Sequence, residues 1–139
     1  MPRSLFKKIL YACDFSVSSL AGLEYALSLS READARLTLL HVLEWLPGDD
    51  QRRASLEAEA LARLREAVPA SVKEWLETEE VVTEGRAYRE ILRVAQEREA
   101  ELIVMGVQGR GALDVMFFGS TAHHVVRQAS CPVLTVRSR

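Results

Sequence analysis

Short apolar runs alternate along the chain with longer segments in which apolar positions recur every three or four residues, the pattern of strands alternating with amphipathic helices. Residues 6–12 predict a first strand, and residues 18–33 a helix with Leu20, Leu23, Leu27 and Ser30 on one stripe. Residues 36–43, rich in Leu and Val, predict the second strand. A Pro47-Gly48 turn then leads into a long polar-faced helix over 49–68, marked by Leu56, Ala60 and Leu64 and interrupted by Pro69. A short helical turn at 71–76 precedes 79–84, where Val81 and Val82 point to a weaker, more exposed strand. Gly85 punctuates the chain, and residues 89–99 predict a helix with Ile91, Leu92, Val94 and Ala95 inward. Residues 102–105 read as a strand covered on both faces. Residues 120–128 predict the last helix, with Ala122, Val125, Val126 and Ala129 in helical spacing, and 133–136 the final strand. This alternation, with right-handed crossovers, predicts an α/β fold: a five-stranded parallel sheet with helices on both faces, Rossmann-like.

The totals narrow the possibilities. At 139 residues the chain is expected to form a single domain, 1–139, with no repeat, linker or low-complexity tract. Hydrophobic residues at 48% and charged residues at 27% are ordinary globular values. A formal net charge of −2, with basic residues spread among acidic ones as in Arg63-Leu64-Arg65-Glu66, leaves no stripe for nucleic acid. The two cysteines, Cys13 and Cys131, each adjoin an apolar strand-like run and are expected to be buried thiols rather than a bridge. The N-terminal stretch lacks an apolar core before a cleavage site, and no uncharged run approaches the ~20 residues of a membrane span. A cytoplasmic protein without membrane contact is the expectation.

Candidate chemistry concentrates in Gly106-Val107-Gln108-Gly109 and, after nine further residues, Gly119-Ser120-Thr121, which join a buried strand to a helix. Glycines there let main-chain N–H groups approach an anion, and the first N–H groups of the helix lack internal partners. A Walker A loop is excluded, because Ala112-Leu113 stands where Lys-Ser/Thr is needed; a dinucleotide fingerprint fails too, ending at Asp114 instead of glycine. The remaining pattern, G-x2-G-x9-G-S-T, fits a phosphate cradle, although glycine also serves any tight loop.

Several segments together resemble the universal stress protein family over nearly the whole chain. Lys8-Ile9-Leu10-Tyr11-Ala12-Cys13-Asp14-Phe15-Ser16 is similar to the family's first strand and acidic turn, and Leu39-Leu40-His41-Val42 to its second strand. Glu101-Leu102-Ile103-Val104-Met105-Gly106 resembles the fourth strand and Ser130-Cys131-Pro132-Val133-Leu134-Thr135-Val136 the last, with the full glycine motif of the ATP-binding branch between them. The resemblance implies strand order 3-2-1-4-5. It places Asp14 at the ribose, Val42 as a main-chain partner of the adenine edge, and Met105 against the base. Gly106, Gly109, Gly119, Ser120 and Thr121 would hold the phosphates of ATP or another adenine nucleotide, with Mg or Mn carried by the phosphates. It also implies a two-fold homodimer through the edge strand 133–136.

Other readings of these residues stay open. Asp14 also suits a capping turn at the start of the first helix, and Ser120 and Thr121 are good N-cap types whatever they bind. Arg110 either approaches a phosphate or is solvated, while Asp114 reads as a surface or loop-tethering residue. His123 and His124 point about 100° apart on a helix and do not chelate one ion in the usual way. His41 reads as a satisfied histidine of the strand interior, and Trp45 as packing under a loop. No lysine follows Lys73, so the means of stabilising a transferred phosphoryl group are thin. A ligand-controlled ATP-binding regulator is therefore the leading expectation, ahead of a slow phosphotransfer enzyme and a nucleotide-independent scaffold.

Overall fold

The computed structural model describes residues 5–44, 50–107 and 119–138. Trp45, the Pro47-Gly48 turn, Gln108, Gly109, Arg110, Gly111 and Asp114 lie outside the described residues. The elements follow in the order β1 (Lys8–Ala12), α1 (Val17–Ala33), β2 (Arg36–Leu43), α2 (Asp50–Ala67), α3 (Ala70–Lys73), β3 (Thr78–Glu84), α4 (Ala87–Glu97), β4 (Leu102–Val107), α5 (Ser120–Gln128) and β5 (Val133–Arg137). Among the described residues, no helix is long and apolar enough to cross a membrane.

All strand pairs are parallel and the order is β3-β2-β1-β4-β5. β1 is central, with Lys8 to Ala12 opposite Arg36 to Leu40 on one side and Ile9 to Ala12 opposite Leu102 to Met105 on the other. Residue alternation sends the strands' side chains to two separate cores. Ile9, Tyr11, Leu37, Leu39 and Val104 meet Leu23 and Ala26 of α1 and Leu64 of α2. Leu10, Leu40, Ile103 and Met105 meet Ile91 and Val94 of α4 and Ala122 and Val125 of α5. One helical layer thus covers each face. β3, at one edge, is half-buried along its whole length, in keeping with its weaker apolar pattern.

Three expectations need correction. Leu20 is 44% exposed; α1 turns in Ser18, Ser19, Gly22, Leu23, Ala26 and Ser30 instead. Its inward stripe is mostly small because the helix lies close against β4, where a Gly22 Cβ would already be 3.6 Å from Gly106 N. Val126 likewise faces out, 44% exposed, while Val125 is fully buried. Gly106, expected at the end of a strand that closes at 105, lies inside β4 and pairs with Val136. A Cβ on Gly106 would fall 2.3 Å from the Ser18 carbonyl carbon and 2.4 Å from Ser19 N, so the glycine is demanded by helix-to-strand packing.

Candidate functional site

In an open parallel sheet the connections leave the carboxyl ends of the strands, and there a crevice opens beside the central strand. The chain turns off β1 through Asp14 and Phe15, the latter in the left-handed region at φ 64°. This turn is fixed by short polar side chains. Asp14 Oδ1 accepts from the Ser16 N–H at 2.9 Å, and the Asp14 N–H donates to Ser19 Oγ at 3.1 Å. Ser16, the N-cap of α1, accepts from the Ser19 N–H at 3.2 Å. From below, the buried Tyr11 hydroxyl donates to the Ser19 carbonyl, and desolvation pushes its pKa above the usual tyrosine range. Asp14 therefore makes the turn before the helix rather than capping it. The turn uses one carboxylate oxygen, and among the described residues the other has no hydrogen-bond partner.

Across the crevice, α5 begins with Gly119 at the N-cap, without a side-chain cap, and its first helical bond runs from the His123 N–H to the Gly119 carbonyl at 3.0 Å. The expected capping residues Ser120 and Thr121 sit one and two places further on, inside the first turn. Their main-chain N–H groups are among those with no acceptor inside the helix, at the positive end of its dipole. Gly119 has φ −61° and ψ 166°, a conformation open to any residue, and among the described residues nothing lies within 4 Å of where its Cβ would be.

Between these two turns lies a cavity of about 400 Å³. Ala12, Leu40 and Met105 form its floor, with Ser18 and Ser19 on one wall and Ala87 and Ile91 of α4 on another. Asp14, Val42, Met105, Gly106, Gly119, Ser120 and Thr121 all line it, which brings together the expected site residues that the structure describes; Gly109 lies outside them. Ala87, Ile91 and Glu44 also line it and were not expected. Alanine and isoleucine carry no chemistry to mark them in a sequence, and only the packing of α4 over the sheet brings them here. Glu44 directly follows β2, and its position two residues after Val42 was the available signal.

Val42 contributes through its backbone. Even-numbered residues of β2 bond toward β1: the Arg36 N–H donates to the Lys7 carbonyl, and the Leu40 carbonyl accepts from the Cys13 N–H, both at 2.8 Å. Odd-numbered residues bond toward β3, as the Leu37 N–H does to the Glu77 carbonyl at 2.9 Å. Val42 lies beyond the last β1 rung, so its N–H and C=O both face the crevice as an adjacent donor and acceptor.

The remaining candidates fall elsewhere. His124 stacks on Tyr88 with ring centroids 4.1 Å apart, tying α5 to α4. Among the described residues no group of three His, Cys, Asp or Glu is placed to hold a metal ion. Both cysteines are free thiols; Cys13 is buried, but Cys131 is only half-buried, and partial desolvation raises its pKa.

Comparison with known proteins places this geometry. The universal stress protein family profile matches residues 5–137. Universal stress protein YxiE of Bacillus subtilis is 32% identical over 148 residues, covering 96% of this chain and 100% of its own. Among solved structures, a universal stress protein in complex with cAMP superposes with a TM-score of 0.79 at 24% identity, over 98% of this chain and 100% of that one. A universal stress protein from Archaeoglobus fulgidus in complex with dAMP does so with a TM-score of 0.61 at 21% identity, over 95% and 98%. At those identities the two structural likenesses are likenesses of fold. With a profile running from β1 through β5 and a full-length relative that shares about a third of its residues, the chain belongs to the universal stress protein family.

Proposed function

We propose that the chain binds an adenine nucleotide in this cavity, ATP being the ligand that best uses its features, and acts as a ligand-controlled homodimer in stress response or signalling. The observation that carries the reading is the meeting, in one cavity of about 400 Å³, of a carboxylate, an apolar floor and an uncapped helix N-terminus. In this reading the base lies over Met105 and against Val42, whose N–H and C=O complement the acceptor and donor of the adenine edge. Asp14 accepts from the ribose hydroxyls. Gly106, Gly109, Gly119, Ser120 and Thr121 receive the phosphates, with Mg or Mn held by the phosphates themselves. The cAMP and dAMP complexes of two fold neighbours support an adenine nucleotide, and the glycine pattern favours the ATP-binding branch. In this reading phosphoryl transfer is absent or slow, since no lysine follows Lys73 in the chain. Pairing between copies would use β5, an edge strand whose Val133-Leu134-Thr135-Val136 run carries no charge.

Native mass spectrometry of freshly purified protein tests both parts. Two chains with close to one adenine nucleotide each are expected. A monomer that stays free of nucleotide in millimolar ATP and magnesium would contradict the reading. Asp14→Ala is expected to weaken ATP binding about tenfold or more, the range for a hydrogen bond to a charged group. The same variant should bind 2′,3′-dideoxy-ATP as the wild type does. Equal losses for both nucleotides in calorimetry would remove Asp14 from the ribose.

A further inference from the structure

We infer that His41 is a positioning residue for the base: by taking the Cys13 carbonyl, its ring ends the β1–β2 ladder one rung early and keeps the Val42 N–H available to a purine. The inference rests on the nucleotide reading of the cavity. It starts from the ladder itself. Lys8 opposite Arg36 through Ala12 opposite Leu40 fixes the register, and the last rung runs from the Cys13 N–H to the Leu40 carbonyl at 2.8 Å. Continued by one step, the same pattern would send the Val42 N–H to the Cys13 carbonyl. At that oxygen the structure has His41 Nδ1 at 2.7 Å instead, and no bond from the Val42 N–H. A carbonyl oxygen only accepts, so Nδ1 carries the proton and donates.

The imidazole is held for this task. Its ring lies 4.6 Å from that of Phe15, tilted by 40°, and the Arg63 guanidinium of α2 sits 3.8 Å over the far neighbour, the Phe15 ring. Phe15 itself has a positive φ in the turn that follows β1. A buried carbonyl left bare is costly, and without the imidazole the nearest main-chain donor able to serve Cys13 is the Val42 N–H. Such a bond would extend the sheet by one rung and withdraw the donor that faces adenine N1, while the Val42 carbonyl would still face the N6 amino group. His41 thus acts on the base through Val42, without touching the ligand.

The test is calorimetric titration of ATP and of 1-deaza-ATP, whose N1 is replaced by a CH group, into the wild type, His41→Phe and His41→Asn. His41→Phe keeps a ring against Phe15 but has no donor; it should weaken ATP about fivefold to tenfold, the worth of one net hydrogen bond, and leave 1-deaza-ATP unchanged. His41→Asn places an amide N–H near the Nδ1 position and should restore ATP binding to within about twofold of wild type. Without any nucleotide, exchange of the Val42 amide hydrogen should be about tenfold slower in His41→Phe than in wild type, because that amide has gained an acceptor. Equal losses for the two nucleotides, an asparagine variant as weak as the phenylalanine one, or unchanged Val42 exchange would each overturn the inference while ATP binding stands. A wild-type chain that takes up neither nucleotide would overturn the reading of the cavity, and the inference with it.

Discussion

Gly106→Val is expected to lower the free energy of unfolding by about 3 kcal/mol or more, and the melting temperature by about 10 °C for a chain of this length. The cause is contact between backbones. The new Cβ would sit 2.3 Å from the Ser18 carbonyl carbon and 2.4 Å from both the Ser18 oxygen and Ser19 N, none of which can move by changing a rotamer. Ordinary contact needs about 3.5 Å, so the start of α1 must retreat by about 1 Å. That retreat disturbs the Tyr11 hydroxyl's bond to the Ser19 carbonyl, the bond from the Asp14 N–H to Ser19 Oγ, and the seat of Leu23 in the core. Because the same turn carries Asp14, nucleotide binding should fall together with stability. Urea unfolding followed by circular dichroism reads the effect, and a variant that melts within about 3 °C of wild type would show that α1 and β4 are not so tightly apposed.

Gly119→Val should behave in the opposite way, losing at least tenfold in ATP affinity while its unfolding free energy changes by no more than about 1 kcal/mol. The backbone at Gly119 lies in an extended region that valine adopts freely, and its side chain would enter open space among the described residues. The small stability cost reflects glycine's advantage over valine at an N-cap. In the nucleotide reading, that open space lies where a phosphate meets the first turn of α5, and an isopropyl group there keeps the anion from one or two charge-assisted hydrogen bonds. Calorimetry beside a thermal melt separates the outcomes. Wild-type affinity in a well-folded Gly119→Val would remove the α5 N-terminus from phosphate binding. The two substitutions together distinguish a glycine required by the fold from one required by a ligand.

Much of this architecture is legible in the chain because the buried parallel strands are nearly unbroken apolar runs between amphipathic helices. β2 and α5 have the bounds that their patterns predict, since Arg36 and Ser120 begin clear changes of periodicity. The orientation of α1 is harder to read. Hydrophobicity alone points Leu20 inward, but the narrow gap above β4 admits Ser18, Ser19, Gly22 and Ala26, so closeness of approach decides the face. Gly106 shows the same limit: its place near the end of the strand is legible, but only the position of α1 reveals why the strand needs a glycine there. Asp14 is legible from its place just after β1, where the sheet's topology opens a crevice, whereas Val42 and Met105 come from the family resemblance. Ala87 and Ile91 are not legible, since their place on the wall depends on how α4 lies against β2 and α5.

The two cores have a consequence for how the molecule responds to heat. One joins α1 and α2 to the sheet and the other joins α4 and α5 to it, so the two helical layers meet chiefly through the strands between them. At the rim, however, the Asp14 turn belongs to the first layer, while Ala87 and Thr121 belong to the second. A molecule seated across that rim would act as a clasp between the two layers. Its occupancy adds about RT ln(1 + [L]/Kd) to the resistance against unfolding, so the heat tolerance of the protein would follow the concentration of its ligand.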